Sequence, residues 1–334
     1  MNVKEQVLKA LQNPGSGDGF VSGEELAGIC GVTRASVWKT IRALREQGAT
    51  IEAVKNRGYR LASEELYDGA SVGILLPPDI PVSYFETLDS TNAQAKRMLF
   101  QRNIPGLHKH LVVSNGQTDG RGRFGRSFCS PHGTGVYFSL IYIPSFQCAP
   151  GVITASAATA LCRAIQKVYA IDAGIKWMND IVIGNRKVAG ILTEGITDLE
   201  SGVLTAVVIG CGINIAPNAA FDGDLQEIVG TLRSDRTDMR RRQLCAQSVN
   251  ELVAILDGGT ETLGLAVDEY RRRSVVVGQT VTVHPLIPQQ GQPYRCFVTG
   301  ITDDACLEVR LEDGSTAVVS GGEVSVSGFN ARIS

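Results

Sequence analysis

A stretch rich in glycine and arginine restricts the possible folds of this chain more than any other feature. Residues 120–126 read Gly-Arg-Gly-Arg-Phe-Gly-Arg and contain the spacing G-x-G-x-x-G, which leads into a helix in dinucleotide-binding folds. Pro131, Gly133 and Gly135 follow and prevent a helix here, and no acidic residue lies between Asp119 and Asp172. The sequence therefore argues against a Rossmann fold and predicts a loop between two strands.

The composition of this loop is typical of an anion-binding site. Glycines let the backbone fold closely around a ligand and present its N–H groups, and guanidinium groups bind phosphate bidentately. The three arginines, Arg121, Arg123 and Arg126, therefore predict an anionic, phosphorylated ligand. A solvated basic loop without a ligand is the alternative. A Walker A motif is absent from the sequence.

Three further segments supply polar residues at the ends of predicted strands. The DSTN segment, residues 89–92, lies at a strand-to-helix junction, where free N–H groups favour anions. Residues 176–180 and 186–194 flank a predicted hairpin and contain lysines and carboxylates, and the carboxylates suit a divalent metal. Residues 210–214 end a buried strand. Each segment alone is equally compatible with a structural role, such as a simple helix cap.

Residues 1–63 have the pattern of a winged helix-turn-helix. Two predicted helices, capped at Ser22 and Thr33, are separated by a short turn at Gly31, and a strand-turn-strand pattern with a basic tip follows. The second helix of this motif reads the major groove of DNA. A small interaction domain with a solvated basic face is the alternative. The residues predicted to contact DNA are Arg34, Ser36, Lys39, Arg42, Lys55 and Arg57.

Charge and cysteine content limit the remaining possibilities. Residues 1–62 carry nine Lys and Arg against six Asp and Glu, a net charge of +3 that permits DNA binding. Eight cysteines without a C-x-x-C pair and only four histidines predict neither a metal site nor a disulfide framework. No run of 18 apolar residues and no secretory signal occur, so we expect a cytoplasmic protein without a membrane partner.

The pattern changes twice along the chain. A polar join over residues 62–78 is followed by mixed strands and helices, whereas short strands dominate from residue 274. This order predicts an α+β multidomain protein. Its expected domains are residues 1–63, 64–273 and 274–334.

The motifs STN, GQTDGRGRFGR, KWMND, KVAGIL and VIGCGINI, in this order, resemble those of the biotin–protein ligases. With the winged helix in front, the whole chain is similar to the bifunctional type, which is both ligase and biotin-operon repressor. The resemblance implies a winged helix-turn-helix, a central domain related to class II aminoacyl-tRNA synthetases, and a C-terminal SH3-like β-barrel. The sequence departs from the family at Phe128, where Trp is usual, and at Met178, where Pro is usual.

The resemblance also implies a chemistry. The enzyme would activate biotin with ATP and Mg²⁺ as biotinyl-5′-AMP and transfer it to a lysine of a biotin carboxyl-carrier domain. With biotinyl-AMP as corepressor, it would repress transcription at operator DNA as a homodimer. Two alternatives stay open: a lipoate–protein ligase on the same scaffold, and a ligand-sensing transcription factor without catalysis.

Site residues follow from the resemblance, position by position. Expected catalytic residues are Lys187, Arg121 and Asp180, with no protein metal site beyond Mg²⁺ carried by ATP near Asp180. Arg126 is expected either to contact phosphate or to support the loop. Expected biotin-binding residues are Ser90, Thr91, Asn92, Gln117, Arg121, Gly122, Arg123 and Lys187. Expected ATP- or adenylate-binding residues are Arg123, Asn179, Gly210, Gly212 and Asn214.

Overall fold

The computed structural model describes residues 3–12, 14, 19–46, 49–63, 67–101, 104–145, 149–197, 204–221, 223, 227–235, 239–285 and 292–326. The described α-helices are α1 (Val3–Gln12), α2 (Gly23–Cys30), α3 (Arg34–Glu46), α4 (Gly69–Gly73), α5 (Thr91–Gln101), α6 (Pro150–Tyr169), α7 (Arg241–Asp257) and α8 (Gly259–Arg273). The described strands are β1 (Thr50–Val54), β2 (Gly58–Ser63), β3 (Val82–Phe85), β4 (Leu111–Ser114), β5 (Gly135–Tyr142), β6 (Gly174–Lys176), β7 (Asp180–Ile183), β8 (Arg186–Thr197), β9 (Leu204–Asn214), β10 (Thr280–His284), β11 (Tyr294–Ile301), β12 (Leu307–Leu311), β13 (Thr316–Val319) and β14 (Glu323–Val326).

Helices α1 to α3 and the β1–β2 hairpin form the predicted winged helix-turn-helix. The Ser22 hydroxyl accepts a hydrogen bond from the Glu25 N–H at 3.0 Å and begins α2, and Gly31 ends it with a φ of +63°. In α3 a buried stripe of Val37, Ile41 and Leu44 faces the other helices. The polar face of α3 is thereby left toward solvent, as the DNA-binding prediction requires.

The wing is a two-stranded antiparallel hairpin that is tied, close to its tip, to the residue before the cap of α2. Val21 and Tyr59 exchange two backbone hydrogen bonds, each 2.8 Å long. Gly58 lies so close to this contact that a Cβ atom there would be 2.2 Å from the Val21 carbonyl oxygen. The backbone therefore holds the wing beside the start of α2.

A seven-stranded mixed sheet forms the centre of the molecule, in the order β3-β4-β5-β9-β8-β7-β6. Strands β3 and β4 are parallel and all other neighbours are antiparallel. Helices α6, α7 and α8 pack together, and α5 packs separately against β4, β5 and β9. The segment predicted as one hairpin, residues 174–196, contains three strands, because a turn at residues 177–179 separates β6 from β7.

Residues 67–78 were expected to be part of a polar join, and this prediction was wrong. Tyr67, Val72 and Leu76 are buried in the main core, and Asp68 caps α4 with a capping box. The Arg241 guanidinium carbon lies 4.0 Å from the centre of the Tyr67 ring. Apolar residues interspersed among polar ones made this helix look like a linker in the sequence.

The five C-terminal strands form an antiparallel sheet in the order β13-β12-β11-β10-β14. Its apolar side chains, including Val281, Val298 and Val309, belong to the same hydrophobic cluster as the central domain. Across this junction the Trp177 indole N–H donates to the Ala305 carbonyl at 2.9 Å. The α+β class is confirmed, whereas the domain limits remain predictions. In the described part of the chain, no helix is long and apolar enough to cross a membrane.

Candidate active site

One cavity in the central domain collects the residues that the sequence predicted for ligase chemistry from well-separated segments. It lies between the N-terminus of α5, the glycine-rich loop, the β7–β8 hairpin and the end of β9. Its lining contains all of the predicted residues, namely Ser90, Thr91, Asn92, Gln117, Arg121, Gly122, Arg123, Asn179, Asp180, Lys187, Gly210, Gly212 and Asn214.

One end of the cavity is a buried network of hydroxyl and amide groups. The Gln117 side-chain oxygen accepts from the Thr91 backbone N–H at 2.8 Å, and its amide nitrogen donates to the Ser130 hydroxyl at 2.7 Å. Ser139, fully buried on β5, contacts the Thr91 hydroxyl at 2.8 Å and the Asn92 side-chain oxygen at 2.5 Å. These bonds fix the polar groups in place, so they can recognise a polar ring without losing freedom on binding.

Two glycines of β9 make room for the side chains that face them. A Cβ atom on Gly210 would lie 2.0 Å from the Asn92 side-chain oxygen, and one on Gly212 would lie 2.4 Å from the Phe128 ring. Below them Asn92 donates to a Glu194 oxygen at 2.8 Å, and the other Glu194 oxygen pairs with Lys96 at 2.6 Å. The glycines of the GCGIN motif therefore serve close packing at the cavity wall.

The three arginines of the glycine-rich loop have different partners. Arg121 is half exposed and pairs with Asp119 on its own loop, at 3.2 Å. Arg123 is deeper and donates to the Asn179 side-chain oxygen at 3.2 Å. Arg126 makes a bidentate ion pair with Glu323, with distances of 2.5 and 2.6 Å. Arg126 thus supports the loop, and its contact with phosphate stays a prediction.

Lys187 and Asp180 form the charged centre of the cavity. The ammonium nitrogen is 2.7 Å from one Asp180 oxygen, and 5.9 Å from the centre of the Phe128 ring. The Gly230 N–H donates to the Lys187 carbonyl at 2.8 Å and holds the backbone at this point. The same Asp180 oxygen is buried, so this ion pair is held away from water.

A second pocket continues the cavity past Lys187 and contains a cation that the sequence analysis did not assign. Lys176 is 6% exposed and lies there with Arg123, Arg126 and Lys187. Burial lowers the pKa of Lys176; the neighbouring Lys187 charge lowers it further, and Asp180 and Glu323 oppose the shift. So many positive charges in one confined place favour a multiply charged anion such as a polyphosphate.

The buried amide of Asn214 has an unused acceptor in the cavity wall. Asn214 is 3% exposed, and its side-chain oxygen has no hydrogen-bond partner. A buried acceptor left without a donor costs free energy, about 1–3 kcal/mol, which a ligand N–H or O–H group would remove. This end of the cavity therefore suits a ligand that donates hydrogen bonds.

The predicted DNA-binding residues form a separate site on the winged helix-turn-helix. Arg34, Lys39 and Arg42 are exposed on α3, and Lys55 and Arg57 are exposed at the wing tip. Ser36 is half-buried and its N–H bonds to the Thr33 hydroxyl at 3.2 Å, which makes it part of the helix cap. None of these six residues lines the cavity described above.

Several residues of the site were missed by the sequence analysis. Ser139 could have been found, because it is the polar residue in the apolar run YFSLIY of β5. Glu323 had no such signal, since it meets Arg126 across 197 positions of the chain. Among the described residues, no group of three or more His, Cys, Asp or Glu side chains is arranged to hold a metal ion.

Comparisons with known proteins agree with this geometry. Residues 84–214 match the model of the biotin/lipoate A/B protein ligase family, and residues 4–60 match that of an HTH domain. The bifunctional ligase/repressor BirA of Bacillus subtilis is 36% identical over 228 residues, 65% of this chain and 67% of the relative. BirA of Escherichia coli is 30% identical over 249 residues, 71% of this chain and 73% of the relative.

The fold is also similar to that of solved structures. The biotin protein ligase from Aquifex aeolicus, in complex with biotin and ATP, superposes with a TM-score of 0.57 at 20% identity. The similarity covers 73% of this chain and 97% of the Aquifex chain.

Proposed function

Because the chain belongs to the family of bifunctional ligase/repressor proteins, we propose that it attaches biotin to a protein lysine and represses transcription in response to biotin. The observation that carries the ligase half is the single cavity into which the STN, GRGRFGR, KWMND, KVAGIL and GCGIN segments all project. The exposed cations of α3 and the wing support the repressor half. We place both activities in the cytoplasm.

Biotin is expected to enter the polar end of the cavity. Its ureido group offers two N–H donors and one carbonyl acceptor, which match the hydroxyls of Ser90 and Thr91 and the amide of Gln117. These groups are already held by hydrogen bonds, so little ordering remains on binding. The valerate chain then points its carboxylate toward the lysine and the arginines at the other end.

In the first step an oxygen of the biotin carboxylate attacks the α-phosphorus of ATP. The new O–P bond forms as the bond from that phosphorus to the bridging oxygen breaks, and pyrophosphate leaves. Lys187 neutralises the negative charge that the carboxylate and phosphate bring together, and Arg123 binds phosphate oxygens. Lys176 and the second pocket accept the departing pyrophosphate.

A magnesium ion carried by ATP fits the donors present at this point. The Asp180 carboxylate lines the cavity beside Lys187, and a carboxylate oxygen is a preferred ligand of Mg²⁺. When bound there, the ion would supply further positive charge to the phosphates. Asn179, the residue before Asp180, accepts the 3.2 Å hydrogen bond from Arg123 and so positions that guanidinium group.

In the second step an acceptor lysine, as the neutral amine, attacks the acyl carbon of biotinyl-AMP. An amide bond forms, AMP leaves with the bonding pair, and the nitrogen loses a proton. The glycine-rich loop shields the mixed anhydride from water until the carrier domain arrives. Arg121, which is half exposed at the edge of the loop, is suited to act at this opening.

The repressor half requires two copies of the chain. A single winged helix with a net charge of +3 over residues 1–62 makes few phosphate contacts, so its own DNA affinity is low. Two recognition helices on a two-fold DNA site would double these contacts. We therefore propose a homodimer that biotinyl-AMP favours, with the reaction intermediate as corepressor.

One experiment tests the ligase and separates it from its alternatives. The purified chain is incubated with Mg-ATP and either biotin or lipoate, and bound acyl-adenylate and released pyrophosphate are measured. Biotinyl-AMP with pyrophosphate release is the expected result. Adenylate from lipoate alone would favour a lipoate ligase, and the absence of any pyrophosphate would favour a non-catalytic sensor.

A further inference from the structure

Trp38 on the recognition helix α3 is exposed to an unusual degree for its size and was not among the predicted DNA contacts. Its side chain is 54% exposed, whereas its neighbour Val37 is fully buried. Arg34 and Arg42 are four residues before and after it, so all three share one face of the helix. The indole therefore lies between two guanidinium groups on a surface directed toward solvent.

This face of α3 is one wall of a groove whose other wall is the wing. Arg34, Trp38, Lys55 and Arg57 line it, and Glu24 at the start of α2 is the acidic side chain in its lining. The Arg57 guanidinium carbon is 4.2 Å from the centre of the Phe20 ring, which fixes the direction of the wing tip. The groove therefore combines an apolar indole with positive charges at both edges.

Duplex DNA has the chemistry that complements this groove. Its phosphates match the cations, and its major groove presents the 5-methyl group of thymine as an apolar feature at a base edge. A second copy of this chain would instead bring the same positive charges together, which opposes association. The charge of the groove thus selects nucleic acid over a self-contact.

We propose that Trp38 is a specificity-determining residue that packs its indole against a thymine 5-methyl group in the major groove. The inference rests on the proposed repressor function and extends it, since it names the base read at this position. Arg34, Lys39 and Arg42 bind the flanking phosphates and contribute affinity for any DNA sequence. Trp38 contributes a preference for DNA with thymine at the contacted position.

The test uses the full chain with biotinyl-AMP and a duplex enriched by the wild-type protein from a random DNA library. Affinity for this duplex is measured against salt concentration for the wild type, Trp38→Ala and the matched control Lys39→Ala. Trp38→Ala should bind about 4-fold more weakly for each half-site, the loss expected for an apolar contact of methyl size, with an unchanged salt slope. Lys39→Ala should reduce the salt slope by about one for each half-site.

Replacing thymine by uracil in the same duplex removes only the methyl group. Made at one position of each half-site, this replacement should lower the DNA affinity of the wild type several-fold and leave the DNA affinity of Trp38→Ala unchanged. Equal affinity of Trp38→Ala and wild type, or uracil effects of the same size in both, overturns this proposal alone. A wild-type protein that enriches no duplex overturns the repressor function and this proposal together.

Intrinsic fluorescence gives a measurement without truncation of the side chain. The chain has two tryptophans, and Trp177 is 4% exposed with its N–H bonded to Ala305. Addition of the enriched duplex should shift and quench the emission of the wild type, while Trp38→Phe, which retains Trp177 alone, should show no response. An identical response in both proteins would contradict a contact at Trp38.

Discussion

Replacement of Lys187 by methionine removes one positive charge from the centre of the cavity and keeps the length of the side chain. The Lys187 side chain is 17% exposed and packs against Gly190, where a Cβ atom would lie 3.0 Å from the lysine Cε. A charge held so firmly needs no reorganisation as the anhydride forms. Loss of one preorganised contact of this kind costs about 10²–10³ in rate, or about 2.7–4 kcal/mol. We expect adenylate formation to fall by that factor.

The same substitution also leaves Asp180 without its partner. This carboxylate is 20% exposed, so its desolvation is only partly relieved by water. Removing one member of a fully buried pair costs about 3–5 kcal/mol of unfolding free energy, and the residual exposure places Lys187→Met at the lower end of this range. The double variant Lys187→Met/Asp180→Asn removes the uncompensated charge and should recover most of that stability.

The assay is single-turnover formation of biotinyl-AMP, with urea unfolding followed in parallel. Arg186→Met is the matched control, because Arg186 precedes Lys187 on β8, is exposed, and does not line the cavity. Stability should return in the double variant while the rate does not, since the catalytic charge stays absent. A folded Lys187→Met protein that forms adenylate within about threefold of the wild-type rate would refute the electrostatic role.

The remaining predictions concern other parts of the molecule. Arg121→Ala should release biotinyl-AMP, which then biotinylates albumin, because the edge of the glycine-rich loop loses the charged side chain that helps to close it over the adenylate. Albumin biotinylation at the wild-type level with normal adenylate formation would contradict this shielding role of the loop. A chain of residues 64–334 should still ligate biotin, which carrier biotinylation measures. It should bind no operator DNA, which a gel shift measures. Because burial lowers the pKa of Lys176, the unfolded chain binds that proton more tightly. Lys176→Met should therefore melt above the wild type at pH 7, by a margin that shrinks toward pH 10.5, and should show a raised KM for ATP. Biotinyl-AMP should raise both the sedimenting dimer fraction and operator affinity, and excess apo carrier domain should reverse both; equal values with and without it would exclude a corepressor role.

The convergence on one cavity was predictable because each segment has a local chemical signature. Glycines at positions 210 and 212 and the arginines at 121 and 123 are unusual enough in their spacing to indicate a close backbone approach and an anion. The alternative of a solvated loop fails for Arg123, which meets Asn179 from another segment. The spacing of apolar residues likewise sufficed to predict helix α3, whose buried side chains are at the predicted positions.

What the sequence did not reveal depends on contacts between distant segments. Lys176 looks like any lysine until β6, β7 and β14 enclose it beside Asp180 and Glu323. Tyr67 was assigned to a linker because its partner Arg241 lies 174 positions away and only the fold brings them together. Neither residue breaks a local rule, so no pattern along the chain distinguishes them from surface residues.

The arrangement of the cores constrains how an adenylate could control DNA binding. Among the described residues, the winged helix-turn-helix has its own hydrophobic cluster, whereas the central and C-terminal strands share another. The glycine-rich loop is tied to the C-terminal sheet through Arg126 and Glu323. A ligand that moves this loop therefore acts first on surfaces of the larger unit. Association of two copies is a response such surfaces can give, and by linkage the adenylate must then bind the dimer more tightly than the monomer. A shift of the dimer equilibrium from 1:99 to 99:1 would need a difference of about 10⁴ in affinity, so a modest preference yields only graded repression.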